Sequence, residues 1–134
     1  MRTSISYVLS IAAIWIAGCA TTSLTPVGTR AYRPLLAGDE VTVFSADTDV
    51  REPFEVVGII DYANPGKYQV LTLGDALPEL LDRARVAGAN GIIIDRTELI
   101  RSGIISTGIA VRARAIRLTG RGSPPAAPSE RDVP

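Results

Sequence analysis

The 134-residue chain contains no histidine. That absence removes imidazole metal ligands, Ser–His–Asp and Cys–His nucleophile systems and histidine pH switching together. Cysteine occurs once, at position 19, so no disulfide can close within the chain and no thiolate metal cluster can form. Lys67 is the only lysine among 14 basic residues, and Trp15 the only tryptophan. The 14 basic and 14 acidic residues cancel to a formal net charge of zero, which gives no reason to expect a polyanionic partner. No internal repeat is visible. Apolar residues make up 46% of the chain, enough for one small hydrophobic core and too many for a disordered protein.

The single cysteine sits in an informative place. Ile16-Ala17-Gly18-Cys19 closes an apolar run from Ile5 to Ala17, and Arg2 with the α-amino group precedes that run. A short basic segment, an apolar stretch and small residues before a cleavage point are the parts of a secretory leader. The branched aliphatic, two small residues and cysteine read as a bacterial lipobox. Small side chains at Ala17 and Gly18 let the scissile bond enter a narrow peptidase site, and Ile16 fills an apolar subsite. On this reading residues 1–18 are removed, and Cys19 carries diacylglycerol on its sulfur with an added acyl chain such as palmitate. The run is shorter than the roughly 20 residues a spanning helix needs. The alternatives are a core helix ending in a free cysteine and an uncleaved membrane anchor. A lipidated Cys19 places the domain in the bacterial envelope, where nucleic acid is not an expected partner.

Residues 19–38 then read as a lipidated N-terminus with a flexible tether, because Pro26, Gly28 and Pro34 interrupt any periodicity. An α+β domain is expected over 39–119. Its first strand signal is Val41-Thr42-Val43-Phe44, and its second runs from Phe54 to Asp61 with Gly58 inside, a position that often marks a bulge. Asn64-Pro65-Gly66 is a turn. The spacing of Leu77, Leu80, Leu81, Ala84 and Ala87 predicts a helix over 75–87, with Asp75 as its N-cap, Pro78 in its first turn and Gly88 as its left-handed C-cap. Glu79 precedes Arg83 by four, the favourable order for a helix-surface pair. Ile92-Ile93-Ile94 predicts a buried strand continuing through Thr97 and Leu99. Ile104 and Ile105 form a strand end or an apolar loop tip. Ile109 to Leu118 alternates apolar and polar residues and predicts a last strand with one wet face. The expectation is four strands in one mostly antiparallel sheet packed by one helix, in ββαββ order. Residues 120–134, rich in proline and without apolar periodicity, read as a disordered tail.

Three stretches carry a family resemblance: Phe54-Glu55-Val56-Val57-Gly58-Ile59-Ile60, then Leu80 to Ile94 with Ala84, Gly88, Ala89 and Asn90 in an Ala-x-x-x-Gly-Ala-Asn core, then Val111 to Leu118. Over roughly 41–118 the chain resembles small bacterial lipoprotein domains related to the Rcs envelope-stress sensor and to YbjQ-type "heavy-metal-binding" domains. The resemblance implies a fold and an envelope compartment. It implies no metal here, because the soft and imidazole ligands are missing, and none of the disulfides that brace the stress sensor's domain. By resemblance to Gram-negative lipoproteins, the lack of Asp after Cys19 implies sorting to the outer membrane, facing the periplasm.

The remaining candidate chemistry is electrostatic. Asp39, Glu40, Asp47, Asp49, Glu52, Glu55 and Asp61 make the first strands acidic, while Arg96, Arg101, Arg112, Arg114, Arg117 and Arg121 make the last ones basic. The plainer reading is cross-strand pairing within one sheet. The sharper one is a partner surface on which Arg112 and Arg114 bind a carboxylate or phosphate. The functional expectation is a non-enzymatic binding, structural or envelope-stress-related lipoprotein with no cofactor beyond its covalent lipid. It would be anchored in the membrane and engage another envelope protein or the cell wall. The alternative is a small carboxylate-dependent hydrolase or carbohydrate-processing domain.

Overall fold

A computed structural model describes residues 20–67, 69–102, 104 and 106–120. The leader and lipobox, with Ile16, Ala17, Gly18 and Cys19, lie outside the described residues. So do Ile105 and the tail over 121–134.

The fold is α+β: one mostly antiparallel sheet of five strands and, among the described residues, one α-helix. The strands are β1 (Thr21–Pro26), β2 (Thr42–Phe44), β3 (Phe54–Asn64), β4 (Gly91–Ser102) and β5 (Ser106–Leu118); helix α1 (Leu73–Val86) joins β3 to β4. Sheet order is β1-β3-β5-β4-β2, antiparallel throughout except that β2 runs parallel to β4. The expected four strands in ββαββ order are therefore corrected to five in βββαββ order. The added strand lies inside the segment read as a tether. Thr21-Thr22-Ser23-Leu24-Thr25 is β-prone but offers little apolar alternation, so its strand character comes from edge pairing with β3, from Thr21↔Ala63 to Pro26↔Gly58.

The rest of the expected tether packs as well. Residues 29–36 cross the C-terminal end of α1: Leu35 N–H donates to the Arg85 carbonyl at 2.9 Å, and Tyr32 and Leu35 pack on the main core. Arg85 is accordingly half-buried, with its Nε donating to the Asp39 carbonyl at 3.1 Å.

Helix α1 begins two residues earlier than the sequence suggests. Asp75 is its third residue, not its cap: the carboxylate accepts the Thr72 backbone N–H at 2.7 Å and the Thr72 hydroxyl at 2.8 Å. These bonds, the backbone one first, hold the Asp75 carboxyl below its usual pKa. Pro78 consequently lies past the first turn, where it withholds the bond an N–H would give the Gly74 carbonyl. Glu79 accepts the Thr22 hydroxyl at 2.7 Å, tying the helix to edge strand β1.

Two connections cross opposite faces of the sheet. Helix α1 lies over one face, with Leu80, Ala76 and Ala84 fully buried against Ile60, Tyr62, Ile92, Ile109, Val111 and Ala115. Residues 45–53, between β2 and β3, cross the other face. There Ile93, Ile116 and Leu118 form a second apolar cluster with Phe44, Val50, Phe54 and Val56. The parity of β5 serves both layers: Ile109, Val111, Ala113 and Ala115 face the helix, and Ile116 and Leu118 face the crossing loop. Each buried Ile or Leu side chain contributes about 1.5–3 kcal/mol relative to exposure. The irregularity expected at Gly58 is present, since the β3–β5 register shifts between Val56 and Gly58.

The turn from α1 into β4 is closely fitted. Gly88 has φ +74°, and a Cβ there would stand 2.6 Å from Tyr32 Cβ and 2.7 Å from the Arg33 carbonyl oxygen. Its own carbonyl accepts Arg117 Nη1 at 2.6 Å, and the Arg117 guanidinium lies 5.4 Å from the centre of the Tyr32 ring. Asn90 nearby accepts the Leu118 N–H on its side-chain oxygen at 2.7 Å and the Thr42 N–H on its carbonyl at 3.1 Å, linking β5 and β2. Gly88→Val is expected to cost at least about 1–3 kcal/mol, the range for a residue held in a disfavoured backbone region. Exposed Arg83→Ala should stay within about 0.5 kcal/mol. Denaturant melts of the leaderless protein compare the two, and equal midpoints would contradict this account of the turn.

Candidate functional site

The polar side of the sheet is built on the even positions of β5. Arg112 and Arg114 project from the face opposite the helix, as their spacing predicts, and β3 and β4 bring carboxylates to both. Asp61 lies directly across from Arg112, which donates from Nε at 2.7 Å and from Nη2 at 3.3 Å, a two-pronged pair. Arg114 uses all three nitrogens. Nε is 2.9 and 2.8 Å from the two Asp95 oxygens, Nη2 is 2.7 Å from Asp95 Oδ1 and also donates to Asp47, and Nη1 is 3.2 Å from Asp47 Oδ2. Arg96 pairs with Glu98 at 2.6 Å on the same strand.

The acids reach this face from two strands and a loop. Asp61 follows from strand alternation. Asp47 is delivered by the short 3-10 turn Asp47–Asp49 in the loop that crosses the face. Asp95 follows Ile93 by two residues and shares its side of β4, and the break in register between Ile94 and Arg96 brings Arg96 to that side as well. The sequence reading left Asp95 out of its acidic set, although alternation from Ile93 turns it to this face.

The electrostatics follow from these contacts. Hydrogen bonding to Arg114 holds the Asp47 carboxyl below the usual range. Asp61, chiefly by hydrogen bonding, raises Arg112, and Asp95 followed by Asp47 raises Arg114 further, so both guanidiniums stay charged at any accessible pH. The cluster is close to charge-balanced, and the plainer cross-strand reading describes its contacts. An incoming anion at Arg114 must displace Asp47 or Asp95.

Beside this cluster lies an open groove of about 360 Å³. Ser23, Ala63 and Ala110 line it with small side chains, and Asp61–Arg112 and Arg96–Glu98 flank it. No group of three or more potential metal ligands occurs among the described residues, and no helix among them is long and apolar enough to cross a membrane.

One five-stranded, mostly antiparallel sheet with a single covering helix defines the class. Among solved structures, the chain is similar to the crystal structure of a Francisella virulence factor, FvfA, in its orthorhombic form. The TM-score is 0.51 at 16% identity, over 72% of this chain and 97% of that one. At that identity the likeness concerns the fold alone. No family model matches the chain, and no curated protein matches it significantly.

The Asp47–Arg114 contact carries a pH signature. A carboxyl lowered by folding adds stability that is complete above its unfolded pKa and is lost as pH falls through its folded value. The difference in thermal midpoint between the native protein and Asp47→Asn should be constant from neutrality to about pH 5, then shrink below about pH 4, where an unperturbed Asp begins to protonate. Thermal melts across that range measure it, and a difference that widens on acidification would contradict the pairing.

Proposed function

We propose that the chain is a bacterial lipoprotein anchored through Cys19 in the outer membrane, whose α+β domain faces the periplasm as a non-enzymatic binding or structural module. The observation that carries this reading is a juxtaposition. Cys19 closes an apolar leader in the sequence, and strand β1 starts at Thr21, only Ala20 intervening. A leader joined so closely to a strand suits removal at Cys19, because a retained leader would have to continue directly from an edge strand.

The carboxylates favour a binding module over the hydrolase alternative. A glycosidase acid needs a raised pKa and a partner carboxyl across a cleft. Asp47 is instead lowered, and Asp47, Asp61 and Asp95 are all engaged by arginines. The resemblance to Rcs-sensor and YbjQ-type domains is compatible with a helix-on-sheet domain and suggests an envelope-stress role. The partner class we favour is an envelope protein or the cell wall, with no nucleic acid and no cofactor beyond the lipid. The groove flanked by Arg112 is the surface we assign to it.

Two or more acyl chains make membrane release negligible, since each buried CH₂ contributes about 0.8 kcal/mol. Cys19→Ala should abolish palmitate incorporation and cleavage before residue 19 in labelled cells. Unchanged labelling in that variant would overturn the anchor assignment.

A further inference from the structure

The sheet has two unlike ends, and one of them receives the chain from Cys19. Thr21, the first residue of β1, pairs with Ala63, Ala63 with Ala110, and Ala110 with Glu98. Beyond that level β4 and β5 run on as a hairpin, which β3 leaves after Asn64↔Ile109, through Leu99↔Ile109, Ile100↔Gly108, Arg101↔Thr107 and Ser102↔Ser106. At about 3.3 Å per residue, those rungs carry the hairpin roughly 13 Å past the start of β1. Cys19 precedes Thr21 by two residues and therefore stays within roughly 7 Å of it. Followed backward from Thr21, β1 points the same way as the hairpin, so the chain enters β1 at the tip end of the domain.

That end displays apolar side chains that the core does not use. Ile104 at the tip is fully exposed, and Leu99 and Val70 are 69% and 70% exposed. Val70 is fixed there by a bridge to Thr107, with the Leu71 N–H donating to the Thr107 carbonyl at 2.9 Å. The turn after β3 is pressed onto the hairpin base: a Cβ at Gly108 would lie 2.3 Å from the Asn64 carbonyl oxygen. This close approach sets Lys67 beside the hairpin. Lys67 and Arg101 are both exposed, giving the apolar end a cationic fringe. Leu36, Val27 and Val86 are also exposed, but they lie toward the Gly88 end of the domain, away from Cys19.

We infer that the β4–β5 hairpin end, with Ile104 at its tip and Leu99 and Val70 behind it, rests in the headgroup and upper acyl region of the bilayer that holds the Cys19 lipid. The inference rests on the anchor reading and adds to it an orientation. Exposed apolar side chains beside basic ones are the chemistry of an interfacial contact with an anionic lipid surface. The one-residue link from Cys19 to β1 leaves the hairpin little room to stand away from that surface. The domain is then held upright at two points, with the Gly88 end outermost and the polar face running along its side.

Ile104→Trp tests this in the full mature protein, purified from cells and reconstituted in vesicles of phosphatidylethanolamine and phosphatidylglycerol. Removal of the leader takes Trp15 with it, so the introduced indole is the sole tryptophan. Intact mass reports acylation and cleavage independently. The expected result for Ile104→Trp is an acylated protein whose tryptophan emission shifts to the blue and is largely lost when the lipids are brominated high on their chains. Leu36→Trp, at the opposite end, should emit as in water and stay unquenched. An acylated Ile104→Trp protein that emits as in water, or two variants quenched equally, overturns the orientation while leaving the anchor standing. A mass that shows an intact leader and no acyl chain overturns the anchor reading, and the orientation with it.

Discussion

The backbone ladders on either side of β5 hold the domain in register. β3 pairs along one edge and β4 along the other, so each position on β5 commits residues on three strands to one face. A slip of one residue would send Ile109, Val111, Ala113 and Ala115 to the polar side and put Arg112 and Arg114 beneath the helix. Burying those two charges without their carboxylates would cost far more than the apolar contacts return. Core and charge pairs therefore specify the same register, and neither needs a disulfide.

The irregular positions let this rigid arrangement serve two layers. In β3 the break near Val57 lets Ile60 and Tyr62 face the helix while Phe54 and Val56 join the second apolar cluster. In β4 alternation from Ile93 sets Asp95 beside Arg114, and the break after Ile94 brings Arg96 to the same face. The loop over 45–53 completes both arrangements at once, since Val50 covers Ile93 and Leu118 while Asp47 reaches Arg114. Arg114 thus joins a crossing loop, a bulge and the central strand. That role explains why a pair of arginines that looks in sequence like an anion site is largely occupied by the protein's own acids.

What the sequence made legible depends on how local the signal is. Helix α1, the Ile92–Ile94 strand and the alternation of β5 are written in apolar periodicity, and the Gly88 reversal in a residue type that few others can replace. Strand β1 escaped because its only inward apolar residue against the core is Leu24, and its pairing is decided by β3, far away in the chain. The parallel placement of β2 beside β4 is likewise non-local, since a three-residue strand carries no sign of its neighbour. Of the site, Asp61 and both arginines followed from alternation. Asp95 sits where alternation from Ile93 puts it, whereas Asp47 did not follow, because a loop path is a tertiary outcome.

Loss of the tether alters what the anchor would do. A flexible linker lets a domain sample orientations and lifts it from the surface by a distance that grows with the square root of its length. Here the residues after Ala20 are spent on β1 and on the strap that closes over Gly88, so that freedom is gone. A domain joined to lipid by one residue has few ways to sit, and the side chains nearest the attachment point then matter. An end carrying Lys67, Arg101 and Ile104 suits a surface of headgroups better than an end carrying carboxylates, which an anionic membrane would repel. On the proposed orientation the groove beside Arg112 would face sideways, along the membrane plane. A partner using that groove would approach laterally, as another envelope-bound component can, and not from the open periplasm alone.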